Sequence, residues 1–221
     1  MVFSSNRRRI SKIMKEISGE RNLFLTGKGF FSYPELHGET EAGYVKITKS
    51  VRENDCMTIT IIRSLNFKGA ITINEETPLL RIKKALGESD IITGDKPFDN
   101  AFLIQANKPY VAHAILTEEI RKILFSMITF KDLELTNLQL QYSIPLCDIQ
   151  TAADLTGPLN VGNSLYMALL HDENQAPIVR CKKRLLNNIL HDPVAEVRRK
   201  NIIMAGAHLK TDTAVRDSLL Q

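Results

Sequence analysis

The chain has 221 residues, of which 43% are hydrophobic and 24% charged, and its formal net charge is +4. That length suits one large domain, or a domain of about 150 residues with a smaller appendage, and the composition is that of a folded protein rather than a disordered one. The mild charge falls short of a nucleic-acid footprint, and with no Trp and few Tyr there is no aromatic platform on which bases could stack.

The first stretch, "MVFSSNRRRISKIMKEI", gathers Arg7, Arg8, Arg9, Lys12 and Lys15. It lacks the apolar run of about 7–15 residues that a secretory leader needs. Ile10, Ile13, Met14 and Ile17 stand at i, i+3, i+4 and i+7, so the spacing predicts a helix with one apolar stripe, ending near Gly19. Such a helix either docks on the domain with its charges solvated or lies on an anionic membrane surface. Docking is the favoured reading, because the stripe is short and carries neither Trp nor Phe. No window reaches the roughly 18–20 apolar residues of a membrane span, and a cytoplasmic location is the expectation.

From about residue 22 the period changes. "NLFLTGKGFF", "GYVKITKSV", "CMTITIIRSL" and "GAITIN" are short, β-branched and aromatic, and are separated by Gly and polar clusters, as strands are. Met57, Ile59 and Ile61 alternate with Thr58, Thr60 and Ile62, the pattern of a half-buried strand. "AFLIQA" at 101–106 and "LELTNLQLQYSI" at 133–144 continue the series. In the second, Leu133, Leu135, Leu138, Leu140 and Tyr142 face one way only if a bulge or turn falls near Thr136 and Asn137. Between these two lies a helix, "LTEEIRKILFSMI", with Thr117 as N-cap and Glu118 and Glu119 in its first turn. Short turns between strands predict a mainly antiparallel sheet with this helix packed on it, an α+β domain over 21–148 after an N-terminal helix over 1–20.

After Pro145 the strand signal stops, and 149–221 reads as a helical region, broken first at Gly157-Pro158. A helix starts at Pro177, with Val179, Leu185, Leu186, Ile189 and Leu190 on its face. A second follows with Asp192 as N-cap, Pro193 at the first helical position, and Val194, Val197, Ile202 and Ala205 as its stripe. "TDTAVRDSLLQ" opens a third.

The stretch "LLNNILHDPVAEVRRKNIIMAG" resembles a HEAT-type helical repeat: a leucine-rich first helix, an Asp at the turn, and "VR" early in the second helix. The resemblance implies that Asp192, Val197 and Arg198 take the parts of that motif, the Asp and Arg bonding across neighbouring units. Asn201 stands where a small Ala is usual, and an ordinary helix pair remains the alternative. Stacking units need about three in a row to cover their faces. A single unit therefore predicts that the strand-rich domain covers one side and a second copy, or another protein, the other, with Ile202 and Leu219 as candidate contact residues. A second resemblance covers roughly 33–145: "YPELHGETEAGYVKI", "TGDKPFDNAFLIQA" and "LTEEIRKIL" are similar, in order and spacing, to uncharacterised bacterial strand-rich domains, some of which occur beside HEAT-like repeats. It implies the two-part architecture and no reaction.

Candidate chemistry is sparse. Asp90, Asp95 and Asp99 gather around Gly94 and Pro97 and could present carboxylates to a metal or a substrate, although the spacing is not that of an EF-hand loop and suits ordinary turn chemistry before a strand. The five histidines are scattered, and the chain holds no HExxH, GxSxG or P-loop. Cys56, Cys147 and Cys181 are far apart with no CxxC, which reads as three buried thiols in a reducing compartment. No cofactor or metal is implied. The reading is of a non-enzymatic bacterial interaction protein that binds a protein partner or forms a homo-oligomer, with nucleic acid the least supported partner. Its alternatives are an enzyme or metal binder using the 90–99 loop, and peripheral membrane association through the first helix.

Overall fold

The computed structural model describes residues 2–27, 32–50, 55–65, 69–75, 90–127, 130–170 and 177–208, with backbone alone for 2–5, 177–181 and 208. Leu219 and the third C-terminal helix read from the sequence lie outside them. The elements are α1 (Val2–Arg21), β1 (Phe24–Thr26), β2 (Glu35–Thr40), β3 (Gly43–Lys49), β4 (Cys56–Ile62) and β5 (Ala70–Glu75). There follow α2 (Lys96–Ala101), β6 (Phe102–Ala106), α3 (Pro109–Ile115), α4 (Glu118–Ser126), β7 (Asp132–Thr136) and β8 (Gln139–Pro145). The chain continues through a 3₁₀ turn (Leu146–Asp148) to α5 (Ala153–Leu170), α6 (Pro177–His191) and α7 (Ala195–His208).

The eight strands form one antiparallel sheet in the order β1-β2-β3-β4-β8-β7-β5-β6. Its register turns period-two patterning into continuous rows. Leu36, Ile47, Ile59, Tyr142, Leu133, Ile73 and Ile104 are successive cross-strand partners on one face, all buried. On the opposite face His37, Lys46, Thr60, Gln141, Glu134, Thr72 and Gln105 form the matching polar row. A one-residue slip in any strand would exchange the two rows, so burial of one face fixes every pairing.

The offset expected near Thr136 is a tight turn. Leu133, Leu135, Leu140 and Tyr142 are buried, while Leu138 sits in the turn itself and is exposed. Thr136 Oγ1 accepts the N–H groups of Leu138 (3.3 Å) and Gln139 (3.2 Å). Thr117 caps α4 as the sequence predicts, accepting from the Ile120 N–H at 3.3 Å.

The stripe of α1 is docked, with Ile10, Ile13, Met14 and Ile17 no more than 4% exposed, and the helix runs past Gly19 to Arg21. Two further points differ from the sequence reading. Gly157-Pro158 does not break the helix there, since α5 is continuous with Pro158 inside it. Burial of Leu155, Leu159, Leu165, Tyr166 and Leu169 outweighs the local cost, and the Tyr142 hydroxyl donates to the Pro158 carbonyl at 2.8 Å. Cys147 is exposed rather than buried, because it falls in the 3₁₀ turn leaving the sheet; Cys56 is buried as expected.

The helix α5 lies on the apolar face through a close approach. A Cβ on Gly162 would stand 2.3 Å from the Tyr142 hydroxyl oxygen and 2.9 Å from ring carbons of Tyr142. Gly162→Ala is expected to lower stability by about 1–3 kcal/mol, the usual cost of overpacking, as measured by urea denaturation. Gly157→Ala, whose added carbon meets nothing within 4 Å, is expected to be neutral or stabilising.

Candidate functional site

The acidic loop and the repeat-like Asp192, far apart in sequence, meet at one joint between sheet and C-terminal hairpin. The loop first organises itself. Asp99, in the opening turn of α2, reaches back so that its carboxylate accepts from the N–H of Thr93 (2.9 Å), the hydroxyl of Thr93 (2.7 Å) and the N–H of Gly94 (2.9 Å). Asp95 caps α2 by accepting from the Phe98 N–H at 3.4 Å, and Asp90 accepts from the Ile104 N–H at 3.0 Å. This folding holds Gly94 at φ +100°, a conformation natural to glycine. A Cβ there would stand 2.6 Å from the carbonyl carbon and oxygen of Glu196 and 2.8 Å from the Val197 nitrogen. The backbone of the loop therefore rests directly on the first turn of α7.

One guanidinium ties the pieces together. Arg121, on α4 and 2% exposed, donates from Nη1 and Nη2 to both carboxylate oxygens of Asp192 at 3.0–3.1 Å. Its Nε donates to Asp95 Oδ2 at 2.9 Å, and Nη1 also donates to the Leu116 carbonyl at 2.8 Å. The Asp192 Oδ1 accepts from the Val194 N–H at 3.0 Å, so Asp192 closes an Asx turn and α7 begins at Ala195, later than the capping pattern predicts. Arg198 donates to the Asp192 main-chain carbonyl.

Asp192 is the last rung of a polar ladder. Arg184, Asn188 and Asp192 are spaced by four residues along one side of α6 and are all buried. Arg184 donates to the carbonyls of Ala168 (3.0 Å) and Leu169 (3.1 Å) at the end of α5. Asn188 donates to the His113 carbonyl of α3 at 2.9 Å. The hairpin is thus fastened to α5, α3 and α4 in turn, with Leu185 and Ile189 buried beside the rungs.

On α7 the inward face is Val197, Asn201 and Ala205. Ile202, expected in the stripe, lies about 100° further round the helix and is exposed. Asn201 donates to the Val197 carbonyl of its own helix at 2.9 Å.

These contacts define what the site can do. Asp90, Asp95 and Asp99 do not converge on a shared point; each is engaged by donors of the chain itself. Among the described residues no group of three or more His, Cys, Asp or Glu side chains could hold a metal ion. Beside the joint lies an open cleft of about 680 Å³ between Glu118 and Glu119 on one side and Lys183, Asn187, Leu190 and His191 on the other. Arg121, Arg184 and Asn188 escaped the sequence reading. The four-residue polar spacing on α6 was the available signal for two of them, whereas the partner that Asp192 would find was not encoded locally.

The class these features define is an α+β protein in which an antiparallel sheet carries a packed C-terminal helical region. No protein-family model matches the chain, and no curated protein matches it. Among solved structures, the crystal structure of the mycobacterial trehalose monomycolate transport factor A is similar, with a TM-score of 0.52 over 75% of this chain and 94% of that one. At 10% sequence identity the likeness is one of fold.

Two outcomes test the joint. Arg121→Met leaves the buried Asp192 and the half-buried Asp95 without their cation, and it is expected to cost about 3–5 kcal/mol in chemical denaturation. Arg121→Met with Asp192→Leu is expected to recover a good part of that loss, a coupling read from the double-mutant cycle. His113 is 3% exposed, and burial, with Lys200 nearby, lowers its pKa to about 4. The unfolded chain, with an imidazole near its ordinary value, then binds more protons between about pH 6.5 and 4, so stability falls with acidification across that window by up to about 3 kcal/mol. His113→Gln is expected to flatten the slope, measured by urea titrations at stepped pH.

Proposed function

We propose that this chain is a non-enzymatic interaction protein whose C-terminal hairpin offers the outer face of α7 to another protein or to a second copy. The observation that carries the reading is the neighbouring pair Ile202 and Ile203, 43% and 48% exposed on α7. The opposite side of that helix is seated on the acidic loop and α3. Leu190, at the end of α6, is exposed as well.

The HEAT-type reading supports the same surface. In that reading an Asp at the turn of one unit bonds an Arg of its neighbour. Asp192 has a bond of that kind to Arg121, so in this reading α3 and α4 take the part of a preceding unit. Val197 is buried in the stripe, and Arg198 closes the turn within its own unit. The side bearing Ile202 and Ile203 is then the side on which a following unit would stack, which for this hairpin is a protein surface from elsewhere. The similar fold belongs to a protein named as a transport factor, which accords with a fold used for something other than catalysis.

Ile202→Asp with Ile203→Asp is the direct test. These exposed positions should change folding stability by no more than about 0.5 kcal/mol. Sedimentation equilibrium of the wild type should show self-association, or pull-down followed by titration should show a saturable protein partner, and the double variant should abolish it. A wild type that is monomeric and partnerless, or a variant that associates as well as the wild type, overturns the proposal.

A further inference from the structure

The fold locks the apolar side of α1 into the core and leaves a basic ridge on the other side. Arg8, Lys12 and Lys15 are exposed, and their i, i+4, i+7 spacing puts them in line along about 10 Å of helix, opposite Ile10, Ile13, Met14 and Ile17. None of the three makes an ion pair among the described residues. Neighbouring charges are few and mixed. Glu16 and Glu20 follow on the flank towards the end of α1. Arg9 is committed to Gln150 (2.9 Å) and the Leu146 carbonyl (3.0 Å). Lys49 lies 5.0 Å from the centre of the Tyr33 ring, where Arg7, Arg9 and Asp55 also exert their charge.

This arrangement costs the helix stability, because the like charges at i, i+4 and i, i+3 repel. The penalty falls when an anionic surface lies against the ridge.

We propose that this ridge binds the surface of an anionic lipid bilayer, peripherally and by charge alone. A straight convex ridge lets all three cations reach a plane together, whereas it neither wraps a duplex nor carries an aromatic ring to stack on a base. The buried stripe cannot insert, and no helix among the described residues is long and apolar enough to cross a membrane. The contact is therefore fully reversible by salt. It also leaves the outer face of α7 free, since α1 packs at the β1–β2 end of the sheet and the hairpin at the β6 end, about 30 Å away at the usual strand spacing.

The test is flotation of the whole chain with vesicles of phosphatidylcholine alone and of phosphatidylcholine with phosphatidylglycerol. Binding is expected only to the anionic vesicles at about 50 mM salt and is expected to be lost at about 500 mM. Arg8→Gln/Lys12→Gln/Lys15→Gln is expected to lower the partition coefficient roughly 100-fold while leaving the melting temperature equal to or above that of the wild type. Equal binding to neutral vesicles, undiminished binding by the triple variant, or a preference for duplex DNA over anionic vesicles at matched salt overturns the proposal. A triple variant that melts lower than the wild type does so too, since the ridge would then have a structural role.

Discussion

A single buried guanidinium decides how the two halves of this molecule sit together. Arg121 spans Asp95 of the acidic loop and Asp192 of the C-terminal turn, and its position on α4 is set by the packing of that helix against α5. A charge of this kind is poor at adding net stability, because desolvation offsets most of the attraction. It is good at rejecting alternatives. Any other seating of α6 and α7 would part Asp192 from the guanidinium and leave the Nη side of Arg121 buried without that carboxylate, so the hairpin has one docked pose rather than a family of sliding ones.

The ladder on α6 works in the same way. A helix held only by Leu185 and Ile189 could shift by a turn with little loss, since apolar contact is not directional. Rungs at Arg184, Asn188 and Asp192 meet partners on three different helices, and such a shift would break all three. Gly94 completes the seat from below by letting main chain touch main chain.

Much of the sheet was legible in the sequence, because period-two patterning needs only local information, and α1 showed its stripe and α4 its stripe and cap plainly. The short helices α2 and α3 were not. "DKPFDN" suits turn chemistry and "NKPYVAHAI" drew no reading; they are helical because Asp95 caps one and β6 supports the other. The acidic loop was noticed for its carboxylates, but their role depends on Arg121 and on α7, which approach only in three dimensions. The same is true of Asp192. The resemblance implied a bond to an arginine of a neighbouring unit, and the fold supplied that arginine from α4 of the strand-rich domain.

The far edge of the sheet has a consequence of another kind. The outer side of β6 is occupied by the residues just before α2, with the Ile91 N–H donating to the Ile104 carbonyl at 2.8 Å and the Ile104 N–H donating to Asp90. A fibril grows only from a sheet with two open margins, and this one is sealed along one of them. Among the described residues the open margin is β1 and the end of β2 beyond it, so two sheets joined there margin to margin would offer a third no further margin of that kind.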